Sequence, residues 1–230
     1  MMYFFLSCVI SMAAAYLLGS CNSSIIVVRL LKGEDIRNHG SKNAGLTNTL
    51  RCFGKAAAVL TLIGDLLKGV IAVILARLIF GLFGFSGSDY AYLIKSVGYA
   101  AGFFAIIGHI FPLYYGFKGG KGVLTSSSIL IVLDPLSFAL AISCFLLAVA
   151  VTKYVSLSSM IAAVFYPILT FVLNYFFYKE PLNQSLTYTG LVALTSAMLI
   201  YMHRTNIARL RAGTEAKITD KKRVDKDNNS

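Results

Sequence analysis

Hydrophobic and polar positions in this chain fall in long blocks rather than in the short periods of a water-soluble fold. Apolar runs cover residues 4–28, 56–83, 90–115, 122–133, 136–152, 158–178 and 186–201, each bounded by polar residues, glycine or proline. Roughly 20 apolar residues carry a helix across a bilayer, so most of these runs are near or beyond spanning length. The fourth is too short for a full crossing, reaching only about 18 Å at the helical rise per residue. Asp134-Pro135 follows it, and a residue before proline is pushed out of helix. The fourth and fifth runs are therefore expected to form a tight pair of short helices. The pattern predicts an all-α integral membrane protein with about seven transmembrane helices. They form a single domain over residues 1–203, followed by a polar tail over 204–230.

Charge adds the orientation. The chain is 57% hydrophobic and only 13% charged, about half the charge of a soluble domain. Residues 1–28 carry no charged side chain, and the first positive residue, Arg29, comes after the apolar stretch. A cleaved secretory signal places its basic residues before that stretch, so the first run reads as a retained span. With seven crossings, 17 of the 21 Lys and Arg residues fall on one side: those of 29–55, Lys118, Lys121, Lys153 and the tail. Positive loops stay cytoplasmic, which puts the amino terminus outside and the carboxyl terminus inside. An even number of crossings would scatter the same clusters over both faces. The net charge of +11 then serves to attract anionic lipid head groups or to bind an anionic substrate. Nucleic acid is a poor partner for a chain with no soluble domain and no aromatic–basic platform. The four scattered cysteines read as buried thiols rather than as a disulfide or metal site.

Five polar segments carry candidate chemistry, and each also has a plain structural reading. In residues 38–58, Ser41, Asn43, Thr47 and Asn48 offer short donors, Gly40 and Gly45 permit tight turns, and Arg51 offers a bidentate fork for phosphate or carboxylate. The same residues could merely cap the second helix. Residues 114–128, YYGFKGGKGVLTSSS, place Gly119, Gly120, Lys121 and Gly122 ahead of an apolar helix. This is not a Walker A loop, which ends GK[ST] after a strand. Glycine backbone N–H groups at a helix N-terminus can still cradle an anion, and His109 lies one helix end earlier; alternatively the glycines form only a flexible turn. Asp65 and Lys68 stand three residues apart on one helix face, where intramembrane charges are functional or pair with each other. Ser156, Ser158 and Ser159 open a helix, where capping explains one of them. His203 and Asn206 lie one helical turn apart beside several arginines, as a proton-handling site or as an amphipathic helix at the interface.

The order and wording of these segments resemble the bacterial acyl-phosphate:glycerol-3-phosphate acyltransferases. The family's GSxNxGxTNxxR is matched by residues 40–51, GHxFPxxxxFKGGKG by 108–122, VSLxS by 155–159 and HxxNIxRLxxGxE by 203–215, with GDxLKG at 64–69. Lys42 and Ala44 depart from the glycine and proline common there, and Leu46 from alanine. The resemblance implies a multi-pass enzyme of the bacterial inner membrane, with its active site on the cytoplasmic face, that begins phospholipid synthesis without a cofactor. It implies acyl phosphate and glycerol 3-phosphate as substrates, with membrane lipids around them and no metal. By the same resemblance Gly119, Gly120 and Lys121 would cradle the glycerol phosphate, with Ser41 and Arg51 completing the anion site. Asn43, Gly45, Asn48, His109, Ser156, Ser158 and Ser159 would contact substrate. His203 and Asn206 would orient the attacking hydroxyl, while Glu215, Asp65 and Lys68 would be structural. A transporter of a phosphorylated solute would share the basic loops, but should show internal repeats and midplane polar residues. A non-catalytic head-group-binding protein would share the charge, but not the glycines, serines and His203 gathered on one side.

Overall fold

Each apolar run becomes helix, and the polar and breaker residues decide where the helices start and stop. The computed structural model describes residues 1–220, so the last ten residues of the expected tail, 221–230, lie outside the described residues. The first run does not continue as one helix. It forms α1 (Met2–Ser20), breaks at Cys21-Asn22, and restarts as α2 (Ser23–Lys32). Asn22 causes the break: its backbone is extended and its side chain accepts from the Ile25 N–H at 3.2 Å, an N-cap that competes with helix continuation. Gly33, in the left-handed conformation at φ 70°, closes α2.

The second apolar run lies in α3 (Leu46–Leu82), which begins ten residues before that run, because residues 46–53 form helical turns ahead of a break at Gly54 (φ 84°). Then follow α4 (Ala91–Ile110), α5 (Val123–Leu133) and α6 (Pro135–Thr152). Asp134 separates the last two and caps α6, accepting from Ser137 N–H at 3.1 Å and Ser137 Oγ at 2.5 Å, with Pro135 at the first helical position. Helix α7 (Val155–Val172) ends in a wider turn at Leu173–Phe177, where Asn174 Nδ2 donates to the Thr170 carbonyl at 2.7 Å. The chain closes with α8 (Leu182–Met202) and α9 (Arg204–Arg211). Among the described residues six segments are long and apolar enough to cross a membrane, one fewer than the expected count. The difference is α5, whose 11 residues reach about half the hydrocarbon thickness.

One face of the bundle gathers the ends that carry the polar segments. There Tyr16 Oη donates to the Phe111 carbonyl at 3.0 Å, and Leu113 N–H donates to Ser20 Oγ at 3.3 Å. Arg37, ion-paired with Asp35, donates to the carbonyls of Tyr115 and Lys118, which ties residues 33–45 to the loop before α5. Residues 204–220 of the expected tail fold back onto this face. The Ile218 N–H reaches the Lys153 carbonyl at 2.9 Å, and Arg51 Nη2 reaches the Ala216 carbonyl at 3.0 Å.

Lipid is as apolar as leucine, so helices in a bilayer associate through close packing and interhelical hydrogen bonds. Helix α4 is the centre: 61% of its most apolar stretch is buried, against 11% in α6, which forms an outer wall. Against α4 lies a seam of small residues, Ala15 and Gly19 of α1 facing Ala101, Ala105 and Gly108. A Cβ on Gly19 would sit on the Ala105 carbonyl, and one on Gly108 on the Tyr16 carbonyl. Ser11 Oγ adds a bond across to the Ala76 carbonyl of α3 at 3.2 Å. Gly19→Ala should therefore destabilise the protein by about 1–3 kcal/mol through overpacking. Gly190→Ala, on α8 with nothing within 4 Å of the new Cβ, should be neutral or gain up to about 1 kcal/mol of helix propensity. Thermal unfolding in detergent checks the pair; equal midpoints for the two variants would contradict the seam.

Candidate active site

The polar segments converge on one cavity of about 360 Å³, entered at the loop-rich face. The first segment reaches it through the early turns of α3. Thr47, Asn48 and Arg51 share a helix face by their spacing, and Ser41, Asn43 and Gly45 line the cavity just ahead of them. Asn48 is buried and its bonds are taken: Oδ1 accepts from the Ser41 N–H at 2.9 Å, and Nδ2 donates to the His39 carbonyl at 3.0 Å. It fixes the loop that presents Ser41. Lys42, where the resembling family usually has glycine, holds a left-handed φ of 59°, a conformation unfavourable for a side chain with a Cβ.

The second segment supplies Lys121 and the start of α5. Lys121 Nζ donates to Asn206 Oδ1, and Gly122, at φ 83°, turns the chain into the helix. The two preceding glycines have a job other than the expected cradle. They do not line the cavity, and their N–H groups are already used: Gly119 donates to the Ile110 carbonyl and Gly120 to the His109 carbonyl, each at 3.1 Å. A Cβ on Gly120 would strike His109 Nε2. Glycine is required here so that the loop can lie flat on His109 and aim Lys121 inward.

Below this loop Asp65, Lys68 and His109 form a buried cluster. Lys68 Nζ lies 2.8 Å from Asp65 Oδ1 and 2.8 Å from His109 Nδ1, and donates to the Cys21 carbonyl at 3.2 Å. With the ammonium on Nδ1, that nitrogen accepts and the ring proton sits on Nε2. Asp65 and His109 border the cavity, whereas Lys68 stands behind them.

The last segments close the mouth. His203, Asn206 and Arg209 recur every third residue along α9, and all three face the cavity. Glu215, whose side chain is 7% exposed, accepts from Ser156 Oγ, Asn206 Nδ2 and Arg209 Nε, each at 2.6 Å. Ser156 and Ser159 border the cavity; Ser158 does not, its hydroxyl donating to the Tyr154 carbonyl at 2.9 Å. Arg209, the arginine within the 203–215 motif, is a further cation of the site. Its signal was the three-residue spacing from Asn206, which places both on one helix face.

Electrostatics set the protonation states. Burial, reinforced by the charges of Arg209 and Arg51 against an opposing Glu215, lowers Lys121 to about 8. Burial would raise the Glu215 carboxyl, but bonds from Ser156, Asn206 and Arg209 outweigh it and hold the group below its usual range. Burial brings His203 down to about 4, helped by the charge of Lys121 and opposed by the Leu199 carbonyl, 2.8 Å from Nδ1. His203 is thus neutral at pH 7, with Nδ1 donating and Nε2 left to accept. The mouth carries Arg51, Lys121 and Arg209 against one carboxylate, an arrangement that an anion completes. Away from the mouth the lining turns apolar, through Leu124 and Leu130 of α5, Phe138 and Phe145 of α6, and Ala163 and Tyr166 of α7. Among the described residues no three His, Cys, Asp or Glu side chains gather as a metal cluster.

Comparison with known proteins gives the family. The family model described as glycerol-3-phosphate acyltransferase matches residues 9–213. Glycerol-3-phosphate acyltransferase of Chlorobaculum parvum is 41% identical, over 89% of this chain and 94% of its own length. That of Clostridioides difficile is 39% identical, over 94% and 98%. Among solved structures, PlsY (YgiH), an integral membrane glycerol 3-phosphate acyltransferase, superposes in its glycerol 3-phosphate form with a TM-score of 0.76. That pair is 32% identical, and the match covers 92% of this chain and 95% of the other. Its lysophosphatidic acid form gives 0.74 at 29% identity. A match across nearly the whole chain, with the motif residues gathered at one cavity, makes this protein a member of the glycerol-3-phosphate acyltransferase family.

Proposed function

We propose that the protein transfers a fatty acyl group from acyl phosphate to the first-carbon hydroxyl of glycerol 3-phosphate. The products are 1-acyl-glycerol 3-phosphate (lysophosphatidic acid) and inorganic phosphate, in the first step of phospholipid synthesis. The observation that carries this reading is a single cavity with a cationic mouth and an apolar arm. One substrate is a small water-soluble dianion and the other ends in a long hydrocarbon chain, so the two halves suit the two reactants. Helices α5 and α6 leave and return to one face, since Lys153 at the end of α6 and Arg51 of α3 both bond residues 216–218. The basic segments therefore share that face although α5 is short. Their distribution supports a mouth on the cytoplasmic face of a bacterial inner membrane, with residues 1–203 as the membrane domain and 204–220 completing its site.

In this reading Arg51, Lys121 and Arg209 hold the phosphates, and Ser41, Asn43 and Gly45 border them. The N-terminal end of α5 adds its partial positive charge. His109, braced by Lys68 and Asp65, supports the Gly119-Gly120 turn, and Ser156 and Ser159 line the opposite wall. The glycerol hydroxyl oxygen attacks the carbonyl carbon, the bond from that carbon to the phosphate oxygen breaks, and phosphate departs. A base with a pKa near 4, such as His203, is poorly matched to a proton transfer at neutral pH. The departing phosphate gains a negative charge on its bridging oxygen as the bond to the carbonyl carbon breaks, and this oxygen takes the hydroxyl proton more readily. His203 Nε2 and Asn206 therefore orient the hydroxyl instead of storing its proton. The mixed anhydride is already activated, so positioning and charge stabilisation are the enzyme's contributions.

Two measurements test the assignment. With purified protein, acyl phosphate and glycerol 3-phosphate, Arg51→Ala and Lys121→Ala should each cut phosphate release by about 100-fold or more. Rates within a few-fold of wild type in both would remove these cations from the site. The pH dependence is the second. Lys121 carries its charge below a pKa of about 8 and loses it above, so kcat/KM for glycerol 3-phosphate should fall as pH rises through that value. In Lys121→Arg the guanidinium stays charged and the alkaline fall should vanish; an unchanged fall would assign it to another group.

A further inference from the structure

The apolar arm has an end. Leu130, Phe138, Ala141 and Tyr166 line the cavity, and the same four side chains belong to, or pack against, the central core cluster with Tyr99, Tyr188 and Val192. Behind these four side chains lies the packed core cluster, which closes the arm on that side. The depth follows from α7: Tyr166 lies ten residues after Ser156, which is about 15 Å along a helix.

The end wall is also braced from behind. The rings of Tyr99 and Tyr188 lie 5.5 Å apart, and Lys95 Nζ sits 4.4 Å over the Tyr188 ring. Lys95 is held by Asn174 Oδ1 at 2.6 Å and by Glu180 at 3.3 Å. Packed interiors of this kind transmit a steric load instead of yielding to it. On the side wall, Ala141 faces the cavity at 8% exposure, so a larger side chain there would occupy the arm itself.

We infer that Tyr166 and Ala141 are specificity-determining residues, which set the longest acyl chain the enzyme accepts by stopping its methyl end against a fixed floor. This rests on the acyl-transfer reading above, with the acyl chain of the donor lying in the apolar arm. An apolar pocket discriminates by roughly tenfold or more for a methylene too many or too few, so a rigid floor should give a sharp cut-off in chain length.

The test uses the full chain in detergent, glycerol 3-phosphate, and acyl phosphates from lauroyl to stearoyl, with kcat/KM measured for each donor. Wild type should show a break at one length. Ala141→Phe should move the break to shorter donors, lowering the ratio of long-chain to short-chain kcat/KM by about tenfold or more. Tyr166→Ala should move it to longer donors. Leu147→Ala, on the exposed face of α6, should leave the ratio as in wild type. Should Ala141→Phe fail to fold, Ala141→Leu carries the same expectation at smaller size. Length profiles identical in wild type and both cavity variants would overturn the inference, because the chain would then leave through the side of the bundle. Failure of wild type to use any donor would instead overturn the acyl-transfer reading, so the two failures are distinguishable.

Discussion

One carboxylate organises this site. Glu215 follows the last helix in sequence, yet Ser156 of α7 and both Asn206 and Arg209 of α9 donate to it at 2.6 Å. Through Asn206 it also fixes Lys121, which comes from the loop before α5. A buried anion is tolerated only when its lone pairs are met by donors and its charge by a cation, and Glu215 has both. Without it Arg209 and Lys121 would face each other as like charges, and the bond that ties Ser156 of α7 to the α9 segment would be lost.

The same carboxylate leaves the balance of charge deliberately incomplete. Asp65 and Lys68 neutralise each other beneath the loop, while the mouth holds three cations against Glu215 alone. Lys121 registers that excess: buried beside Arg209 and Arg51, it holds its proton less tightly than a surface lysine. On the acyl-transfer proposal, a bound phosphate would relieve this charge crowding around the desolvated ammonium. Such preorganisation lets a site stabilise charge without rearranging at the moment of reaction.

The helices themselves were legible because lipid imposes a simple rule, in which a long uncharged run must satisfy its backbone internally. The paired α5 and α6 followed from Asp134-Pro135 alone. The break at Asn22 and the early start of α3 were less visible, since both depend on polar side chains finding specific backbone partners inside an apparently continuous pattern. The gathering of Ser41, Arg51, Lys121, His203 and Asn206 was foreshadowed by motif spacing and charge sidedness. The work of Gly119 and Gly120 was not: a glycine-rich turn reads as an anion cradle until His109, ten residues earlier, is seen to occupy the space a side chain would need. Arg209 stood in the motif at 203–215, but only the ion pair with Glu215, six residues on across a turn, separates it from the neighbouring arginines.

Helix α6 is the least buried of the spanning segments, packed chiefly against α7, and a single helix thick between the cavity and the bilayer. That thinness has a kinetic meaning. On the acyl-transfer proposal, an acyl donor dissolved in the membrane would approach such a wall within the plane of the bilayer, while its partner would arrive from bulk water at the mouth. The enzyme then samples its two reactants in different dimensions. For the donor, the relevant concentration is a mole fraction among lipids, so diluting the membrane with inert lipid would slow turnover even at constant total substrate.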